Sequence, residues 1–270
     1  INARVLAIAS GKGGVGKSSV TVNLAAAIAE QGNIVGVLDA DIWGFSIPRM
    51  LNMPDRLEAK QVEGSDKPRI IPNERKVGTG LLKVVSTGML VEDEGTALMW
   101  RGLMLTKAVE QFLNDVQWGE LDYLLIDMPP GTGDIALSLS QYLPRAEVIV
   151  VTTPQEAAQK VAKLSAAMAT KVNLPVRGII ENMSWFTGDD GVRYELFGSG
   201  GGQSLADELN VPLLAQIPLM SALREGGDDG RPIAAVAPDS EIGQIFAGLA
   251  KRIAEEMKPK KIFSAALKVN

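Results

Sequence analysis

Eight residues near the start of the chain combine glycines, lysine and serine at a spacing that suits phosphate binding. The run GKGGVGKS at 11–18 matches the pattern G-x-x-x-x-G-K-[ST]. Its glycines let backbone N–H groups surround phosphate oxygens, Lys17 can reach the outer phosphates, and the Ser18 hydroxyl can bind Mg²⁺. We therefore expect a nucleotide site whose contacts come from Gly13, Gly14, Val15, Gly16, Lys17, Ser18 and Ser19.

The sequence on either side of this loop predicts the elements that hold it. An apolar run at 4–9 indicates a buried parallel strand, and the alanine-rich run at 18–30 indicates a helix. A strand that leads through a glycine loop into a helix N-terminus forms an anion site. Helical spacing recurs at 105–116, 161–168 and 242–253, where it indicates core-facing helices. Further strands are expected at 34–38, 82–86, 123–126, 148–152, 176–180 and 213–217.

The alternation of strands and helices predicts the fold class. It favours an α/β fold with a doubly wound, mostly parallel sheet flanked by helices. Ligands bind such sheets outside the carboxyl ends of the strands. The polar segment 54–80 contains three prolines and is expected to be an excursion or a mobile loop.

Aspartates follow two of the predicted strands. Asp39 and Asp41 follow the strand at 34–38, and Asp127 ends the strand at 123–126. A carboxylate in this position beside a phosphate loop suits magnesium, so Asp127 is predicted to hold Mg²⁺ through water. A turn or cap remains the alternative for each aspartate, because Asp is common in both.

The composition excludes several kinds of chemistry. The 270 residues include no cysteine and no histidine, which rules out Ser-His-Asp and Cys-His catalysis and Cys/His zinc sites. The net charge of −5 does not favour nucleic acid as a partner. No apolar run approaches the length of a membrane span and no secretory signal is present, so a cytoplasmic protein is expected.

Lys12 and several later strings resemble the Mrp/ApbC-type ATPases of the MinD/ParA superfamily, which carry a deviant Walker A loop. The resemblance spans nearly the whole chain. It implies a P-loop NTPase fold of MinD/SIMIBI type, with 1–270 as a single ATPase domain and ATP and Mg²⁺ as cofactors. An upstream domain outside this chain is left open. The strings are KGGVGKS at 12–18, DADIWG at 39–44, WRG at 100–102, GIIENMS at 178–184 and FGSGGG at 197–202.

The resemblance also implies catalytic roles. Lys12 is expected to reach across a homodimer to the partner's nucleotide, and Lys17 to act on the nucleotide of its own chain. Asp41 is expected to orient the attacking water. Asp39 is expected on the metal side of the site, which makes the metal set Ser18, Asp39 and Asp127.

Two further elements receive roles from the resemblance. Asn182 is expected to read the adenine edge, because an amide can pair with both a donor and an acceptor. Pro218 is expected to pack against the base, although a structural proline is the alternative. Pro130 and Gly131 are expected in a switch loop that turns toward the γ-phosphate.

One departure from the family pattern leaves the cargo open. Many relatives place C-x-x-C between the strings ENMS and RYxLFG, whereas this chain has WFTGDDGV at 185–192. Iron–sulfur clusters are normally held by cysteine, so cluster binding is uncertain. Asp189 and Asp190 indicate a tight turn more plainly than a carboxylate ligand set.

Two functions therefore stay as hypotheses. The first is a dimeric, slowly hydrolysing ATPase that acts in iron–sulfur cluster assembly or transfer with client or scaffold proteins. The second is a MinD/ParA-like ATP-gated switch that carries no cluster. The C-terminal segment 251–270 has six basic and two acidic residues. A solvated terminal helix explains this composition better than membrane contact does, so a membrane partner is not expected.

Overall fold

The computed structural model describes residues 1–41, 46–54, 56–62, 67–90, 103–131 and 133–257. Its strands are β1 (Arg4–Ser10), β2 (Ile34–Asp39), β3 (Glu58–Lys60), β4 (Arg69–Ile71), β5 (Asn73–Val77), β6 (Gly80–Ser86), β7 (Tyr123–Asp127), β8 (Glu147–Thr152), β9 (Val176–Asn182), β10 (Phe186–Thr187), β11 (Arg193–Tyr194) and β12 (Leu213–Ile217). Its helices are α1 (Lys17–Glu30), α2 (Ile47–Met50), α3 (Leu103–Asp115), α4 (Gly133–Tyr142), α5 (Glu156–Lys171), α6 (Gly201–Leu209), α7 (Ser221–Asp228), α8 (Ile233–Val236) and α9 (Glu241–Glu255), with a 3₁₀ turn at Thr87–Leu90.

Eight strands form one central sheet in the order β12-β9-β8-β1-β7-β2-β6-β5. All neighbouring strands are parallel except β5, which runs antiparallel to β6 at one edge. Helices cover both faces, so the central strands are apolar on both sides, as buried parallel strands must be. The predicted α/β, doubly wound and mostly parallel fold is confirmed.

Two apolar cores lie on the two faces of this sheet. Helices α3, α4, α5 and α6 cover one face, where Phe112 and Leu139 are fully buried. Helices α1, α2, α8 and α9 cover the other, where Leu24 and Phe246 are fully buried. Because each face is sealed, polar groups concentrate at the carboxyl ends of the strands. There Asp39 of β2 lies directly beside Asp127 of β7 in the strand register.

The predicted strands and helices all form, and one segment differs from its prediction. The segment 54–80 was expected to be an excursion or a mobile loop, but its described part contains β3, β4 and β5. In β5 only Val77 is buried, while charged residues such as Glu74 and Lys76 face outward. Such an edge strand is stabilised by pairing with β6, which apolar periodicity does not reveal.

Some predictions fall on residues outside the described ranges. These include 42–44 of the string DADIWG, the string WRG at 100–102 and the tail beyond residue 257. Within the described ranges, no helix is both long enough and apolar enough to cross a membrane.

Candidate functional site

The phosphate loop connects the end of β1 to the start of α1. Gly16 precedes the helix in the left-handed conformation, at φ 80°. A Cβ at this position would lie 2.3 Å from the Nδ2 atom of Asn182, so both the backbone conformation and the space require glycine. The side chain of Asn182 donates to the Val15 carbonyl oxygen at 2.9 Å. This hydrogen bond therefore attaches the phosphate loop to the end of β9.

Asp127 is fully buried at the centre of a hydrogen-bonded cluster. Its Oδ2 atom lies 2.7 Å from Lys17 Nζ and accepts from the Ser18 hydroxyl at 2.6 Å. Its Oδ1 atom accepts from the Thr21 hydroxyl at 2.8 Å. A buried carboxylate needs such partners, because an unpaired charge is costly in the protein interior. The structure thus brings together Lys17, Ser18 and Asp127, while their expected roles toward phosphate and magnesium stay predictions.

Thr21 is a site residue that the sequence analysis missed. It is fully buried on α1, and the Lys17 carbonyl oxygen lies 3.0 Å from its hydroxyl as a second acceptor. The signal was a hydroxyl residue four positions after Lys17, hence on the same face of the helix. A threonine inside a helix often donates its hydroxyl to a carbonyl oxygen of the preceding turn, as Thr21 does to Lys17. The residue type therefore did not by itself reveal the contact between Thr21 and Asp127.

Asp39 is the second fully buried carboxylate at this edge of the sheet. Its Oδ1 atom accepts from the Asp41 N–H at 3.2 Å, and its Oδ2 atom accepts from the Ser86 hydroxyl at 3.2 Å. The N–H groups of Ser46 and Ile47 also donate to Oδ2, each at 3.3 Å. Burial, and then the negative charge of Asp127, raise the pKa of Asp39 from 3.8 to about 7.

The residues at this edge fit a magnesium ion that is shared with phosphate. Among the described residues, no group of three or more acidic, histidine or cysteine side chains can hold a metal. Mg²⁺ in phosphoryl-transfer sites needs fewer protein ligands, because water and phosphate oxygens complete its octahedron. The Ser18 hydroxyl and the Asp127 carboxylate are already in contact, and Asp39 lies beside them. These three residues would hold the ion.

A cavity of about 370 Å³ opens beside the phosphate loop. This volume lies within the roughly 300–1,000 Å³ that is usual for small-molecule sites. Its walls are mainly apolar, with Asn182 among the polar groups, and Pro218 is one of the wall residues. The expected packing of Pro218 against a base stays a prediction. The lining of the cavity includes four residues predicted to bind nucleotide and three methionines. The predicted residues are Gly16, Ser19, Asn182 and Pro218, and the methionines are Met50, Met183 and Met220.

Lys12, Asp41 and the switch loop are positioned at the same edge. Lys12 Nζ lies 3.5 Å from the Gln155 side-chain oxygen at the start of α5. Gly131, at φ 71°, donates its N–H to the Ser10 carbonyl oxygen at 3.2 Å and follows Pro130. Asp41 follows β2 by two residues. The expected actions of these residues on nucleotide, water and a second chain stay predictions.

The segment where many relatives carry C-x-x-C forms a hairpin of β10 and β11, here called the 185–196 hairpin. Asp190 accepts from the Tyr194 hydroxyl at 2.6 Å and from the Val192 N–H at 3.0 Å. The Tyr194 hydrogen bond, then that of Val192, lowers the pKa of Asp190 below its usual value. Asp190 thus stabilises the turn through these two hydrogen bonds. The turn interpretation of 189–191 is supported, and a carboxylate ligand set is not.

The sheet order, the glycine loop and the Lys17–Asp127 cluster define a P-loop NTPase of MinD/ParA fold. The nucleotide-binding protein of Archaeoglobus fulgidus, solved in complex with ADP, is 37% identical with a TM-score of 0.68, over 85% of this chain and 87% of that one. MinD of Pyrococcus horikoshii OT3, complexed with Mg-ADP, is 23% identical with a TM-score of 0.68, over 96% of this chain and 100% of that one. The latter likeness shows the fold alone.

Sequence relatives identify the family. The family model described as ParA, NUBPL iron-transfer P-loop NTPase, matches residues 2–254. The iron–sulfur cluster carrier protein of Mycobacterium leprae is 49% identical, over 92% of this chain and 65% of that protein. The iron–sulfur cluster carrier protein of Synechocystis is 46% identical, over 93% of this chain and 70% of that protein. The chain belongs to the NUBPL iron-transfer P-loop NTPase family, and it spans 65% of the length of the mycobacterial relative.

Proposed function

We propose that this chain binds ATP with Mg²⁺ and hydrolyses it slowly as a homodimer that acts in iron–sulfur cluster assembly or transfer. The observation that carries the proposal is the buried Lys17–Ser18–Asp127 cluster next to the cavity at Asn182. One half of this arrangement suits phosphates and magnesium, and the other suits a nucleoside. The names of the iron–sulfur cluster carrier relatives support the cargo.

At the phosphate end, Lys17 changes its partner. Its ammonium group now neutralises Asp127 at 2.7 Å, and a triphosphate offers it several anionic oxygens at the mouth of the loop. The N–H groups of the glycine loop and of the first turn of α1 add donors for the same oxygens. Bound Mg²⁺ would supply positive charge that offsets the developing charge on the phosphates. Ser18, Asp39 and Asp127 would hold it.

At the base end, Asn182 selects adenine. Its Nδ2 atom is committed to the Val15 carbonyl oxygen, which orients Oδ1 as the acceptor for a ligand. An acceptor fits the exocyclic amino group of adenine and opposes the carbonyl oxygen of guanine. The methionine side chains of the cavity wall can adapt their shape to a flat ring, and Pro218 adds a rigid apolar surface.

Hydrolysis and dimerisation depend on Lys12 and Asp41. Lys12 lies at the entrance to the loop, where its contact with Gln155 is long, at 3.5 Å. We propose that it leaves Gln155 and binds the phosphates of the partner's nucleotide. Two copies would otherwise bring like charges together, so ATP itself is needed to neutralise this interface. Asp41 would orient the attacking water.

The cargo has to be held by groups from outside these 270 residues. The chain contains no cysteine and no histidine, so it supplies no thiolate or imidazole to a cluster. We propose that cysteines of a client or scaffold protein hold the cluster while this chain controls the transfer through ATP. The same lack of ligands favours the second candidate, an ATP-gated switch of MinD/ParA type that carries no cluster.

The test of the ATPase measures hydrolysis and the mass in solution with Mg-ATP. We expect wild type to hydrolyse ATP slowly and to form dimers that ADP does not support. Lys12→Ala should still bind ATP but lose the ATP-dependent dimer and most of the turnover, and Asp41→Ala should keep the dimer and lose turnover. The control is Lys160→Ala, which removes an exposed lysine from α5. Unchanged turnover in both Lys12→Ala and Asp41→Ala would refute this mechanism.

The test of the cargo separates the two functions. The chain is treated anaerobically with iron and sulfide, alone and then with a scaffold protein that already holds a cluster. Transfer that depends on ATP and on Lys12 would support the carrier function. ATP-dependent dimers with no effect on cluster transfer from any scaffold tested would favour the switch.

A further inference from the structure

Glu181 is a buried acidic residue that the proposed mechanism does not use. It lies on β9 immediately before Asn182, and only 1% of its surface is exposed. Among the described residues, no cationic side chain forms an ion pair with it. Its Oε1 atom instead accepts from the Ser184 hydroxyl at 2.9 Å and from the Gln216 side-chain amide at 2.8 Å. Its Oε2 atom accepts from the Gly202 N–H.

The contact with Gly202 places the carboxylate at the first turn of α6. A Cβ on Gly202 would lie 2.7 Å from the Glu181 Cβ and 2.8 Å from its Oε2, so only glycine allows this approach. The N-terminus of a helix carries partial positive charge and unpaired N–H groups, which a carboxylate satisfies. The glycine string at 200–202 therefore accommodates Glu181 and does not form a second phosphate loop.

The side chains of Glu181 and Asn182 project from opposite faces of the sheet. Successive side chains of a strand point to opposite faces, and here Asn182 contacts the phosphate loop while Glu181 contacts α6. Ser184 adds a second connection, because it lies directly before the 185–196 hairpin and donates to Glu181. A shift of the end of β9 would therefore displace Val15 on one side of the sheet, and the hairpin and the start of α6 on the other.

We propose that Glu181 is a positioning residue that transmits the occupancy of the nucleotide site to the 185–196 hairpin and the start of α6. This inference rests on the proposed nucleotide binding and adds the route by which the bound nucleotide acts on a distant surface. The hairpin carries several exposed apolar side chains, which suit contact with a partner protein. These are Phe186, Val192, Tyr194 and Leu196.

The experiment compares hydrogen exchange with and without Mg-ADP. In wild type we expect Mg-ADP to slow exchange both in the phosphate loop and at 186–202. In Glu181→Gln, an amide N–H₂ replaces an oxygen that accepts hydrogen bonds, so donors face donors. This variant should still show slower exchange in the loop and lose the response at 186–202. The matched control is Glu147→Gln, because Glu147 is a buried carboxylate on the neighbouring β8, where it pairs with Arg4 and Arg177.

The outcomes are distinguishable. If Mg-ADP slows exchange in the loop of wild type but never at 186–202, the coupling is refuted while nucleotide binding stands. An unchanged response at 186–202 in Glu181→Gln refutes the role of Glu181. No slowing anywhere in wild type refutes the proposed nucleotide binding and the coupling together. Melting curves check folding, and if Glu181→Gln does not fold, Ser184→Ala takes its place and should lose the response at the hairpin.

Discussion

The free energy of unfolding should depend on pH through Asp39, and Asp39→Asn should remove that dependence. Burial and the charge of Asp127 raise the pKa of Asp39 from 3.8 in the unfolded chain to about 7 in the folded protein. Between these values the folded protein keeps a proton that the unfolded chain loses. Stability therefore falls as pH rises from about 4 to about 7, and this contribution is constant above and below that window.

The magnitude follows from the difference between the two pKa values. Each pH unit within the window changes the free energy of unfolding by about 1.4 kcal/mol, so the whole window corresponds to about 4 kcal/mol. About 3 kcal/mol of this falls between pH 5 and pH 8. Asp39→Asn has no proton to lose. Its amide meets the N–H groups of Asp41, Ser46 and Ile47 as a poorer acceptor, which lowers its stability by the same amount at every pH.

The assay is urea unfolding at pH 5, 6, 7 and 8, without nucleotide and with a chelator. The stability of Asp39→Asn relative to wild type should rise by about 3 kcal/mol from pH 5 to pH 8. Asp189→Asn makes the same chemical change at an exposed position on the 185–196 hairpin and serves as the control. A difference between Asp39→Asn and wild type that stays constant across these four pH values would refute the reasoning.

Three further predictions concern single residues. Thr21→Val removes the hydroxyl that donates to the buried Asp127 carboxylate in the nucleotide-free protein; since such a bond to a charged group contributes roughly 1.5–3 kcal/mol, the free energy of unfolding in urea should fall by about that amount, whereas Thr21→Ser should stay close to wild type. Gly16→Ala meets Asn182 at 2.3 Å in a left-handed backbone, so it should abolish ADP binding. Gly248→Ala, with open space within α9, should raise the free energy of unfolding by about 0.5–1 kcal/mol in urea.

The elements next to the phosphate loop could be predicted because their signals are local. The glycine pattern, the apolar run of β1 and the alanine-rich α1 are continuous in sequence, and each reflects the burial or backbone freedom of its own residues. Asp127 was predictable for a similar reason, since a polar residue ends an otherwise apolar strand. The strand order was not predictable in this way, because placing β7 between β1 and β2 depends on tertiary pairing.

The contacts missed by sequence analysis join residues that are far apart in the chain. Thr21 contacts Asp127 across 106 positions, and Glu181 contacts Gly202 and Gln216 across 21 and 35. Their residue types are ordinary in a helix and a strand. Only the fold shows that Glu181 has polar partners and no cation among the described residues. The same limit applies to β5, whose charged residues suit an edge strand only once β6 is beside it.

The charges at the centre of the site account for both its pH dependence and its proposed ligand. Two buried carboxylates, Asp39 and Asp127, lie side by side, and Lys17 is the cation paired with Asp127. With both carboxylates ionised this trio carries a charge of −1, which a proton on Asp39 cancels. Burial of Asp39, and then the negative charge of Asp127, raise the pKa of Asp39 and so favour that proton. If Lys17 moves to a phosphate, the two carboxylates are left with −2. A divalent cation matches that charge, whereas a second proton would also remove the ligand character of Asp127. Buried aspartates that are unfavourable without a ligand are therefore suited to Mg²⁺ and phosphate arriving together.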